Sequence, residues 1–219
     1  MQVLITGASG GLGGAVVDAF LSTGASVVGV GTSPPPPRTG NFRSIAANLA
    51  TREGCEFAVS AAGTVDVLVH LVGGFSGGET IENSSDEEWD RMMTLNLRSA
   101  LGMFRAVAPG MRARRRGRII AIGSRAGVEP APHIAAYGAS KAALIHLVRS
   151  LAAEVKSAGI TANVVLPSTI DTLTNRAASP GADFSAWVKP EAIASLLVWL
   201  ASEQAAAVNG AVIPIYGRA

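Results

Sequence analysis

Tyr137 and Lys141 stand four residues apart in YGASK, inside a stretch with helical apolar periodicity. At that spacing both side chains leave one helix face a turn apart, so a phenol and an ammonium can act on one small target. A free phenol ionises near pH ~10 and exchanges protons poorly at neutral pH unless nearby positive charge favours the phenolate. Lys141 is placed to supply that charge, which predicts a proton donor and acceptor at Tyr137. Two further polar residues interrupt apolar surroundings: Ser124, thirteen positions before the tyrosine at the end of IIAIGS, and Asn96 within LNL.

A second constellation lies in LITGASGGLGGAVVDAF, a strand-like run, a glycine-rich turn and an amphipathic helix. Gly7 permits the tight turn, Gly11 lets backbone approach a pyrophosphate, and Gly13 allows the helix to pack closely; Ser9 and Leu12 complete the loop. The helix N-terminus turns amide donors toward negative charge. With a strand before it and a helix after it, the pattern predicts a dinucleotide site.

The elements that must position these groups follow from hydrophobic patterning. Apolar, β-branched runs recur at Val3 to Thr6, Ser26 to Val30, Val67 to Leu71, Arg118 to Ile122, Ile160 to Leu166 and Ala211 to Ile215, with a shorter one at Phe42 to Ala46. Helical segments separate most of them; the one starting near Asp86 carries a capping box, Ser85 with Glu88. This alternation predicts an α/β fold of Rossmann type, a doubly wound, mostly parallel seven-stranded sheet with helices on both faces. A length of 219 residues predicts one domain over 1–219.

Composition narrows the function classes. Hydrophobic residues make up 48% and charged residues 16%, which suits a covered parallel sheet and argues against disorder. A formal charge of +2 is too small for a general nucleic-acid binder. Five arginines between Arg112 and Arg118 are expected to be a solvated helix end rather than a phosphate patch. Cys55 is alone, so neither a disulfide framework nor a thiolate metal cluster is expected, and no metal site is assigned. No run reaches transmembrane length, and the first residues enter a strand rather than a leader; a cytoplasmic protein, off the membrane, is expected.

Taken together, TGASGGLG at Thr6, LNL around Asn96, IIAIGSRAG around Ser124 and YGASK at Tyr137, in that order, resemble the short-chain dehydrogenase/reductase family, classical type, over nearly the whole chain. The resemblance implies an NAD(P)-dependent oxidoreductase that moves hydride between nicotinamide and a carbonyl/alcohol pair, with Asn96, Ser124, Tyr137 and Lys141 as catalytic set. Tyr137 exchanges the proton, Ser124 polarises the carbonyl, Lys141 also bonds the nicotinamide ribose, and Asn96 holds a relay water. It extends the cofactor contacts to Asn48, Leu49, Val72, Gly73, Pro167, Ile170 and Thr172. It places Phe75, Arg125, His133, Phe184 and Trp187 around a small organic substrate. It also implies a homo-oligomer, most simply a tetramer.

Departures from the pattern carry their own expectations. HLVG replaces the family's NNAG, so His70 is expected to be a structural substitute within the strand, and cofactor contact there to be through backbone. The stretch NRAASPGADFSAWVKPEAI resembles the dihydropteridine reductase branch, an alternative that Ser124 opposes. A dinucleotide-sensing regulator without turnover is the alternative outside enzymes. After the second strand, Gly31 stands where a strong NAD preference usually places an acid, followed by Thr32, Ser33 and a four-proline loop ending at Arg38. With no acid near in sequence to oppose Arg38, NADP(H) is favoured and NAD(H) is the alternative.

Overall fold

Val3 and Ile5 turn to one side of the first strand and Leu4 to the other, and all three are fully buried. The same alternation holds for Val67, Leu68 and Val69, and for Ile119, Ile120 and Ala121, so the central strands have no solvent face. Such strands need a helical layer on each side. The computed structural model, which describes residues 1–218, supplies both layers.

In chain order the elements are β1 (Gln2–Thr6), α1 (Gly13–Ser22), β2 (Ser26–Gly31), β3 (Phe42–Ala46), α2 (Arg52–Ala62), β4 (Val67–His70), α3 (Asp86–Met93) and α4 (Ser99–Arg114). They continue through β5 (Gly117–Ile122), α5 (Ala135–Val155), β6 (Ile160–Pro167), α6 (Leu173–Ala178), α7 (Pro190–Ala201) and β7 (Val212–Ile215). The seven strands form one sheet ordered β3-β2-β1-β4-β5-β6-β7, and every pairing is parallel. Helices α2, α4 and α5 pack one face around Met103, Val107, Leu144 and Val148. Helices α1 and α7 cover the other around Val16, Phe20, Ile193 and Leu197.

Local signals explain several boundaries. Ser85 accepts from the Glu88 amide at 3.2 Å and opens α3, and Thr51 accepts from Gly54 at 3.1 Å and opens α2. Pro190 occupies the first turn of α7, where its missing N–H costs nothing. Between α3 and α4 the chain widens into a π turn at Thr94–Arg98, which periodicity alone does not announce. The arginine run is more engaged than a solvated helix end: Arg112 and Arg115 donate to Glu154 O and Ser157 O around the end of α5, and Arg116 and Arg118 share Glu203.

The strand order reverses direction between β1 and β4, so their carboxyl ends diverge into a crevice. His70 secures that seam. Its Nδ1 lies 2.8 Å from Thr6 Oγ1 on β1 and its Nε2 lies 3.3 Å from Ser99 Oγ on α4, and the residue is completely buried. One imidazole thus joins two strands and a helix, the structural role expected for it. Burial, seconded by the charge of Lys141, pushes the imidazole down to about 3. An unfolded histidine titrates near ~6.5, so between those values the unfolded chain holds a proton that the folded one refuses. The stability due to neutral His70 is complete above about pH 6.5 and is lost as pH falls toward 3, by up to about 1.4 kcal/mol per pH unit. Urea midpoints taken from pH 7 to 4 should fall, and the fall should be shallower in His70→Asn; equal slopes would remove His70 as the source.

Candidate active site

The twenty-one-residue α5 carries Tyr137 and Lys141 on the face turned toward the end of β5. The Lys141 ammonium is buried and donates to Ile122 O at 3.0 Å, and burial pushes it down to about 8. Ser124, just beyond β5, accepts the Ala126 amide at 3.2 Å, which leaves its own hydrogen free for another acceptor. Burial raises the Tyr137 phenol above its ordinary value, while a hydrogen bond with Ser124 pulls it back. The expectation that Lys141 brings the phenol down therefore fails for the protein by itself. Desolvation disfavours charge on both groups, and the ammonium is held by a carbonyl.

Asn96 lies in the π turn with no exposed surface. Its Oδ1 accepts from Gly74 N at 2.9 Å, and its Nδ2 donates to Gly74 O at 3.0 Å and to Ser140 Oγ at 2.9 Å. The carboxamide therefore clamps the loop after β4 to α5. Ser140, absent from the expected set, completes the clamp by donating to Tyr137 O at 2.7 Å. The signal for it was present in YGASK: a serine inside an apolar helix commonly bonds a carbonyl one turn back. Gly73 fits between these groups only because it has no side chain; a Cβ there would stand 2.8 Å from Asn96 Oδ1 and 3.0 Å from Lys141 Nζ.

The glycine-rich turn has the geometry a dinucleotide requires. Gly7 adopts a φ of +72°, and a Cβ on Gly13 would overlap the Ala8 backbone, so the turn and the close start of α1 both need glycine. Ser9, Gly10 and Gly11 are exposed, with Leu12 buried beneath them. The first turn of α1 holds no acid and its cap residue makes no side-chain bond, so the amide end stays available to an anion. Thr172 lies across the loop, its Cγ2 2.9 Å from where a Gly11 Cβ would be. These residues fit the pyrophosphate of a dinucleotide.

At the end of β2, a Cβ on Gly31 would meet Ser33 O at 2.6 Å and Ser9 Oγ at 2.7 Å, so the backbone itself leaves no room for an acidic side chain. Thr32 and Ser33 are exposed beside it. Arg38 returns over the start of α1, its Nη2 2.8 Å from a Cβ built on Gly14, but it is not unopposed: Asp18 Oδ2 lies 3.0 Å from its Nη1. The sequence separation of twenty residues hid this pair, because helix α1 brings Asp18 back beside the proline loop. Asn48 spends its side chain on the Ala50 amide at 3.1 Å, and Leu49 is buried with its carbonyl near Cys55 Sγ.

A cavity of about 540 Å³ opens beside Tyr137, lined by Gly73, Phe75, Ser124, Arg125, Tyr137, Lys141, Pro167 and Ile170, among others. Phe75 meets Tyr137 edge to face at 5.0 Å. Arg125 stands 5.5 Å over the Tyr216 ring and 3.8 Å from Glu129. Val72 is half-buried and packs against the core beneath α4 and α5, and Thr172 caps α6. Three residues expected around the substrate stand outside this lining. His133 is exposed with a φ of +63°, and Phe184 packs on Trp187 at 4.8 Å beneath Arg176. A roomier cavity of about 760 Å³ lies at the opposite end of the sheet, lined by Arg115, Arg116 and Arg118, but those arginines already bond to carbonyls or to Glu203.

Comparison with known proteins extends this geometry. Residues 1–183 match the family model for short chain dehydrogenase. The chain is 34% identical to the short-chain dehydrogenase/reductase olcF of Penicillium canescens, over 97% of this chain and 94% of that protein. It is also 34% identical to the 3-oxoacyl-[acyl-carrier-protein] reductase of Escherichia coli, over 98% and 95%. A crystal structure of a short-chain oxidoreductase from Burkholderia thailandensis superposes with a TM-score of 0.87 at 31% identity, covering 98% of this chain and 90% of the other. A fold wound around the β1/β4 crevice, a glycine turn fitted to a pyrophosphate and these matches lead to one conclusion: the chain belongs to the short-chain dehydrogenase/reductase family of NAD(P)-dependent oxidoreductases.

Proposed function

We propose that the protein transfers hydride between a nicotinamide cofactor and a carbonyl/alcohol substrate, with Tyr137 exchanging the proton at the substrate oxygen. The observation that carries this is the convergence of Ser124, Tyr137 and Lys141 on one cavity beside the dinucleotide crevice. When bound, the nicotinamide supplies or accepts the hydride. In the reducing direction the buried phenol stays protonated and gives its hydrogen to the oxygen that gains charge. Ser124 turns its remaining hydrogen to the same oxygen. Lys141 holds positive charge behind the phenol and faces the cofactor side with Gly73, while Asn96 keeps the loop and α5 in register.

Removing the transferable proton in Tyr137→Phe should lower kcat on a verified ketone by at least about a hundredfold with cofactor affinity nearly unchanged. Near wild-type kcat in that variant would end the assignment. Reduction requires the phenol protonated and, on this reading, Lys141 charged. The phenol satisfies that condition across the neutral range, and the ammonium loses its proton as pH rises through about 8. A profile of kcat/KM from pH 6 to 10 should therefore be flat below about 8 and fall above it; a rise across that interval would contradict the role given to Lys141.

The cofactor preference we infer is for NADP(H), on narrower ground than the sequence alone offered. The closed space at Gly31 excludes the carboxylate that would accept both ribose hydroxyls, and Thr32, Ser33 and Arg38 line the approach. A phosphate dianion would compete with Asp18, itself more than half exposed, for the Arg38 guanidinium. Two substitutions should act in opposite senses. Asp18→Asn should tighten NADPH relative to NADH, and Arg38→Ala should loosen it, each by a few-fold to tenfold in competitive fluorescence titration. Movement of both ratios in one direction would remove Arg38 from the phosphate site.

The same reading takes the protein as a cytoplasmic homotetramer acting on a small organic carbonyl or alcohol. The end position of β7 in the sheet and the 41% exposure of Trp199 on α7 support further association at that edge. Light scattering at micromolar concentration should return about four times the chain mass, and a stable monomer would refute the assembly.

A further inference from the structure

Phe75 is 65% exposed, on a loop that contains Gly73, Gly74, Gly77 and Gly78. A large apolar ring on so permissive a loop would ordinarily fold back onto the core. Here the backbone is pinned on both sides of it. The Asn96 carboxamide holds Gly74 through its N–H and its carbonyl, and the Gly78 amide donates to His133 O at 2.8 Å. His133 takes a left-handed conformation, φ +63°, which turns that carbonyl toward the loop. The ring therefore stands fixed at the cavity wall. One side meets Tyr137 at 5.0 Å with planes 71° apart, and most of the remainder is open.

The charges around it narrow what completes that contact. Arg125 and Glu129 both line the cavity and lie 3.8 Å from each other, so they balance, and Arg125 also rests on the Tyr216 ring. Next to them the wall is apolar, through Ala131 and Ile134. Resting on the reading of Tyr137 given above, we infer that Phe75 is a specificity-determining residue: it selects uncharged carbonyl compounds in which a planar aromatic ring is joined to the carbonyl, by packing on that ring while the oxygen meets Tyr137 and Ser124. Aromatic pairs gain from offset or edge contact beyond the area they bury, and a puckered ring of equal size does not.

Acetophenone and cyclohexyl methyl ketone share an acetyl group and a carbon count, and differ in whether the ring is planar. The ratio of their kcat/KM values, measured with reduced cofactor in excess, should fall about three- to tenfold from wild type to Phe75→Leu, mostly through KM, and should persist in Phe75→Tyr. Comparing ratios between variants cancels the intrinsic reactivity of the two ketones. Ligand-observed NMR titration of the protein supplies a readout independent of turnover, in which acetophenone should bind more tightly than its partner in wild type and lose that advantage in Phe75→Leu. Reduction of both ketones with the same ratio in wild type and Phe75→Leu overturns the inference and leaves the oxidoreductase reading standing. Selective binding without any reduction sustains the role of Phe75 and counts instead against the proposed reaction. Binding of neither ketone overturns the inference.

Discussion

One buried carboxamide holds the site in register. Asn96 bonds to both backbone groups of Gly74 and to the hydroxyl of Ser140, and through Ser140 to the carbonyl of Tyr137. Three segments far apart in sequence meet there: the π turn before α4, the loop after β4, and the first turns of α5. In a dry interior each of those polar groups would be costly unpaired, so the network is satisfied as a whole or the segments separate. The π turn belongs to the same device, because the buried Asn96 carboxamide lies within it.

Around that clamp, burial sets the chemistry. The Lys141 ammonium lies inside the fold with one carbonyl for company and gives up protons more readily than a surface lysine. The Tyr137 phenol, enclosed beside it, holds its proton more firmly. Desolvation drives the two groups in these opposite senses because it favours the neutral form of each, ammonium to amine and phenolate to phenol. A cationic ring brought beside them would add a second positive charge to that of Lys141 and would draw the phenol down.

The fold was legible in the sequence because its signals are local. Seven β-branched runs, the Ser85 cap and the glycine turn each declare themselves within a few residues, and all seven strands stand where those runs lie. His70 could be read as structural from its place in a strand pattern, although its partners Thr6 and Ser99 could not. What escaped were contacts made by the fold itself. Asp18 reaches Arg38 only because α1 turns back beside the proline loop, Ser140 matters only once Asn96 faces it, and Tyr137 is desolvated by neighbours from other elements. The resemblance likewise named aromatic residues for the pocket but not how they pack. Phe75 stands at its wall, whereas Phe184 and Trp187 pack on each other elsewhere.

A sheet made only of parallel pairs has no hairpins, and this shapes how the chain must assemble. β1 pairs with β2 after a single crossover, but its other neighbour is β4, and Val3 waits for Val67. Contacts that span long stretches of chain form slowly, because loop-closure entropy must be overcome before they return any stabilisation. On a ribosome, one apolar edge of β1 stays unpaired until β4 has emerged, and β6 likewise until the last strand arrives. The crevice between β1 and β4 therefore takes shape only once β4 has been made, and until then that edge of β1 stands open to pairing with other chains.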